Sequence, residues 1–168
     1  MTQEKKLSMA LMLVRKRNPF LGTLALQIEH RIDEEIPTAC TDGRTVWYGR
    51  KFIDACSLSE LGGVVLHEIL HASLLHNVRR KNRNPRLWNI AADIVVNGMV
   101  LQESWARLPF EPVINRKLES LRVEDVYSVL LAEKSEEDLL VDEWMDVMDS
   151  PSGGNTGDAD RDVDLEAH

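Results

Sequence analysis

The chain has 168 residues, 43% of them hydrophobic, a size and composition that suit one globular domain with its own core. Two cysteines, Cys40 and Cys56, exclude a disulfide framework and a thiolate zinc site, and read as reduced thiols of a cytoplasmic protein. The net charge of -8 is uneven: residues 133–168 hold 13 acidic and 2 basic side chains, while the first 132 carry +3.

Residues 7–16 form a first predicted helix, with Leu7, Ala10, Leu11 and Val14 at helical spacing. Arg15-Lys16-Arg17 follow the apolar run and no small-residue cleavage site does, so this is not a signal peptide. No run approaches the ~20 apolar residues of a membrane span, and no membrane partner is expected. Asn18-Pro19 should end the helix, with a turn at residues 20–22. Residues 23–32 alternate Leu24, Leu26 and Ile28 with Ala25, Gln27 and Glu29, which predicts a half-buried strand. His30 falls on the Leu24 face and reads as a core or edge histidine.

Thr41-Asp42-Gly43-Arg44 marks a tight turn between two short strands, because Asp-Gly tolerates positive φ. The second strand, residues 45–49, is rich in β-branched and aromatic residues. It is the expected sheet edge, where an extended substrate could add as another strand. Ser57 or Ser59 should cap the next helix, with Glu60 in its first turn.

That helix carries the chemistry. His67-Glu68-Ile69-Leu70-His71 places two imidazoles one turn apart on one face, where they can share a zinc ion. Glu68 can reach a metal-bound water as general base. Apolar residues flank the motif on both sides, so the helix should be buried, and its polar groups then need partners. No glycine or proline interrupts residues 64–81. On one continuous helix His76 would lie about 180° from His67 and about 140° from His71. It is therefore excluded as a ligand. The metzincin pattern is excluded too, because Leu74 and Asn77 hold its glycine and third-histidine positions. The basic residues 79–86 read as a solvated helix end, and nucleic acid is not an expected partner, because no aromatic residues are interleaved.

The third ligand is expected from residues 87–101. Asn89, Asp93 and Asn97 sit four apart and form one polar stripe on an otherwise apolar helix. A zinc ion held by two histidines needs one more protein ligand to keep a position open for water. Asp93 is that ligand if the two helices pack side by side. Otherwise Asp93 supports a histidine N–H and another acid, such as Glu103, takes its place. Pro109 and Pro112 bracket a loop, and residues 122–132 form a further amphipathic helix. Residues 133–149 read as an acidic helical extension and 150–168 as a disordered acidic tail.

The residues alone thus predict an α+β fold, a small mixed sheet packed on the HExxH helix. The predicted function is zinc-dependent hydrolysis of peptide bonds in a peptide or protein substrate. His67, His71 and Asp93 hold the metal, Glu68 is the base, and Tyr48 and Tyr127 are candidates to stabilise the oxyanion. A metal-stabilised binding or regulatory protein is the alternative, and a nucleic-acid hydrolase using residues 79–86 is a third.

Several stretches together carry a resemblance: PFLGTLAL at 19–26, TDGR at 41–44, HEILH with His76, WNIAAD at 88–93 with Asn97, and VEDVYSVL at 123–130. On these the chain resembles a family of predicted metallopeptidases of bacteria and their phages, over roughly residues 7–132. The resemblance implies a zincin-like N-terminal domain and a peptidase activity. Longer members continue into a von Willebrand A-like region, which these residues do not include.

Overall fold

Ser57 starts the helix on which the other elements pack. Its hydroxyl accepts from the Glu60 amide while the Glu60 carboxylate accepts from the Ser57 amide, a reciprocal cap that satisfies two otherwise orphaned donors. In the computed structural model, which describes residues 1–133, the elements run α1 (Gln3–Arg17), α2 (Pro19–Ala25), β1 (Glu29–Asp33), β2 (Ala39–Thr41), β3 (Thr45–Gly49), α3 (Arg50–Ala55), α4 (Leu58–Ser73), α5 (His76–Arg79), α6 (Pro85–Leu101) and α7 (Val123–Glu133). The fold is α+β, with a three-stranded mixed sheet among seven helices in the described residues. The acidic extension and tail expected beyond residue 133 lie outside them. No described helix is long and apolar enough to cross a membrane.

α4 is buried from Leu61 to Leu70 and packs against α1, α2, β2 and α6. Its side chains share one core with Val14 of α1, Val46 and Tyr48 of β3, Ile53 of α3, and Val96 and Val100 of α6. The opposite side of α6, through Leu87, Trp88, Ala91 and Ile94, forms a second core with Val123, Val126 and Tyr127 of α7. α6 is therefore clamped between two cores, which places its polar stripe beside α4.

Three local expectations need correction. Residues 19–25 are helical, and the strand begins only at Glu29. Pro19 stands in the first turn of α2 and the Asn18 side chain caps it, accepting from the Leu21 amide. Gly22 lets α2 lie on α1: a Cβ there would stand 2.3 Å from the Arg15 Cα. The apolar alternation at Leu24, Leu26 and Ile28 belongs to a helix end and the turn after it. The sheet order β1-β3-β2 puts β3 in the centre, parallel to β1 and antiparallel to β2, so β3 is not the edge. β3 is buried at every position but Trp47, with Val46 and Tyr48 in the main core. The Asp-Gly turn joins β2 to β3 as expected, with Gly43 at φ 94°.

The third correction concerns α4. It stops at Ser73, because Leu75 takes the left-handed conformation at φ 54°. A left-handed non-glycine residue costs about 1–2 kcal/mol. Side-chain hydrogen bonds on either side hold it there: Arg79 Nη1 donates to the Leu74 carbonyl, and Trp88 Nε1 donates to the His76 carbonyl, each at 2.9 Å.

The N-terminal half of α4 is pressed against the 105–107 segment. A Cβ on Gly63 would lie 1.9 Å from the Arg107 carbonyl oxygen and 2.8 Å from its carbon. Backbone cannot swing aside as a flexible side chain can. Gly63→Ala is therefore expected to lower stability by about 1–3 kcal/mol, as overpacking does. Chemical denaturation would check this, and an unchanged midpoint would refute the close approach.

Candidate functional site

The α4 repeat puts His67 and His71 on one face, and α6 brings Asp93 opposite them. His71 Nε2 stands 3.0 Å from His67 Nε2 and 3.0 Å from Asp93 Oδ1, and His67 Nε2 stands 3.5 Å from the same oxygen. These three ligand atoms form a cluster able to hold a metal ion. The donor set fits one. Two ring nitrogens and a carboxylate oxygen, each able to present a lone pair, converge on one point, and a cation there would satisfy all three. Bonds of 2.0–2.1 Å in a tetrahedron separate neighbouring ligand atoms by about 3.3 Å, close to the spacing seen.

Glu68 adjoins the cluster and is itself 92% withdrawn from solvent, at 8% exposure. Burial raises its carboxyl pKa, the two histidines pull it down, and Asp93 raises it again. The net shift is upward, the direction that would suit a proton acceptor. For Asp93 burial acts upward too. Hydrogen bonds from His67 and His71, and their charge, outweigh it and hold the carboxyl well below the usual range. Asp93 is thereby held as an anion, the form in which a carboxylate can bind a cation.

These side chains line a cleft of about 290 Å³ together with Ala39, Cys40 and Thr41 of β2 and with Asn77 and Asn89. It shares Thr41, His71, Asn77 and Asn89 with a polar cavity of about 370 Å³ that reaches Arg80. Among the described residues, the sheet edge beside the site is thus β2. Hydrogen bonds from Asp42 N to Thr45 O and from Gly49 N to Thr38 O mark the paired positions of the hairpin. Pairing alternates, so Ala39 and Thr41 turn their backbone groups outward. The Thr41 carbonyl accepts from Asn77 Nδ2 at 3.0 Å.

The polar stripe of α6 divides its work. Asn89 is exposed at the cleft, and Asp93 faces the histidines. Asn97 is buried, and its Nδ2 donates to the Val113 carbonyl, tying the 105–114 loop to α6. Phe110 of that loop meets the His67 ring edge-on at 6.1 Å between centroids. Glu103, the rival ligand, lies elsewhere, with its carboxylate accepting from Asn18 Nδ2 and Trp105 Nε1.

Neither tyrosine is placed to stabilise an oxyanion. Tyr48 is fully buried with its hydroxyl 3.1 Å from His30 Nδ1. Tyr127 packs against Trp88, and its hydroxyl accepts from the Asn84 amide. Of the basic run, Arg79 pairs with Glu124 and Arg83 lies over the Trp88 and Tyr127 rings.

Sequence reasoning missed His76. The break at Leu75 folds it back under the site, where it is 3% exposed with Nδ1 3.0 Å from His71 Nδ1. It lies outside the ligand cluster. The premise that excluded it, one unbroken helix, was wrong, since no glycine or proline signals the break. Burial, with the charges of His71 and Arg79, pushes its pKa down to about 3, so the ring is neutral. Cys40 was missed as a wall of the cleft. Burial raises its thiol pKa, as do Glu68 and two aspartates, which makes it a poor nucleophile.

No curated protein and no solved structure matches the chain. A family profile described as "Putative metallopeptidase domain" does match, over residues 2–166. The match takes in the HExxH helix, the facing aspartate and nearly all the rest of the sequence, and the chain belongs to this metallopeptidase-domain family.

Proposed function

We propose that the protein is a zinc-dependent peptidase with a zincin-like arrangement, acting on extended peptide or protein segments in the cytoplasm. The observation that carries this reading is the convergence of His67 Nε2, His71 Nε2 and Asp93 Oδ1 beside a buried glutamate, in a cleft walled by a sheet edge. His67, His71 and Asp93 would hold the zinc. When bound, zinc supplies Lewis acidity, lowering the pKa of a coordinated water to about 7 and polarising a substrate carbonyl.

The chain's own residues supply the rest. β2 binds the substrate main chain as an added strand, with Ala39 as the pairing position, because the Thr41 carbonyl already has Asn77 as its donor. Glu68 takes the proton from the attacking water on a carboxylate oxygen and passes it to the leaving amine. Its burial favours the protonated state it must visit between those transfers. Asp93 keeps its charge throughout and fixes the histidine nitrogens on α4 against α6.

Protein purified without added metal should contain about one zinc per chain. It should cleave an unstructured protein substrate, lose that activity to a chelator, and regain it on adding zinc. Cleavage that survives complete metal removal would refute the reading.

A further inference from the structure

We propose that His76 is the positioning residue for His71, accepting its Nδ1–H so that Nε2 is bare and aimed at the metal. The inference rests on the metal reading of the triad.

The two Nδ1 atoms stand 3.0 Å apart, so one must carry a proton and the other a lone pair. A ligating His71 gives its Nε2 lone pair to the metal. Its only proton then sits on Nδ1, and His76 Nδ1 must be the acceptor. The partner of a ligating imidazole is ordinarily a carboxylate or a backbone carbonyl. A neutral histidine adds no further negative charge to a site that already holds Asp93 and Glu68.

The surrounding structure holds His76 in place. Leu75 at φ 54° reverses the chain after α4 and swings His76 beneath His71. Trp88 Nε1 donates to the His76 carbonyl, and the Trp88 ring meets the His76 ring edge-on at 6.4 Å. Residues from α5 and α6 thus fix one ring, and that ring fixes a side chain of α4. His67 has no such support: its Nδ1 is buried without a hydrogen-bond partner among the described residues. Of the two histidines, only His71 thus has its second ring nitrogen engaged among the described residues.

The test compares His76→Ala and His76→Asn with wild type. Asparagine keeps a polar atom near the place of Nδ1, so it can still accept. Zinc affinity is read by competition with a fluorescent chelator, and folding by thermal melting of the metal-free proteins. The alanine variant should bind zinc about 10–100-fold more weakly, and asparagine should recover most of the loss. The proton–nitrogen correlation spectrum of the zinc-loaded wild type should report His71 as the Nδ1–H tautomer. Equal zinc affinity in wild type and the alanine variant would overturn the role of His76 alone. So would loss in both variants without rescue by asparagine, or an Nε2–H tautomer at His71. A wild type that takes up no zinc would instead overturn the metal reading, and this inference with it.

Discussion

Glu68→Gln is expected to slow peptide hydrolysis by about 10²–10⁴-fold while leaving zinc content and folding intact. The amide has the shape of the carboxylate and can still hydrogen-bond, but it cannot carry a proton from water to the leaving amine. Glu68 is not one of the three clustered ligand atoms, so the metal should stay. The variant should also melt no lower than wild type. Burial already disfavours the Glu68 charge, and a neutral amide removes that penalty. Steady-state hydrolysis, zinc analysis and a thermal melt on the same preparation check all three parts. Wild-type hydrolysis in the variant would remove Glu68 as the base. Retained binding of a partner protein, in a variant and a wild type that are equally unable to hydrolyse peptides, would favour the binding-module alternative.

Removing a ligand should have the other large effect. His67→Ala and His71→Ala each leave two protein ligands, and near-stoichiometric zinc should no longer copurify. A melting experiment gives a second measure. Zinc at about 100 times its dissociation constant stabilises a folded protein by about 2.7 kcal/mol. For a domain of this size that corresponds to a rise of roughly 5–10 °C in Tm. The rise should vanish in both variants. Asp93→Asn should also lose most of it, while Glu103→Gln should keep it, because the Glu103 carboxylate is engaged by Asn18 and Trp105 away from the cluster. Equal, small effects of the Asp93 and Glu103 substitutions would take Asp93 out of the metal site. Stoichiometric zinc in either histidine variant would dismantle the site altogether.

Much of the site was legible in the sequence because it follows from the helical repeat. His67 and His71 share a face on any helix through that segment, and Ser57 and Glu60 mark where the helix begins. Asp93 was legible because a carboxylate in the middle of an apolar helix needs a partner, and the two histidines need a third ligand. The Asp-Gly turn was equally local, since its positive φ at Gly43 is a property of the residue itself.

The tertiary structure decided what no local rule reaches. Six residues of alternating apolar character fit a strand or the end of a helix, and contact of Gly22 with α1 selected the helix. Which strand is the edge depends on a parallel pairing of β1 with β3 that skips β2 in the chain, and with it the sheet edge beside the histidines moved from β3 to β2. The break at Leu75 is a non-glycine residue in a conformation its own side chain disfavours, so nothing in its neighbours announces it. Hydrogen bonds from Arg79 and Trp88 hold it, one from beyond the break and one from the next long helix. The sequence by itself determined that His67 and His71 would share one helix face and that Asp93 would stand on the polar stripe of the next long helix. The long-range contacts that bend the chain after Ser73 decided that a third histidine would stand behind them.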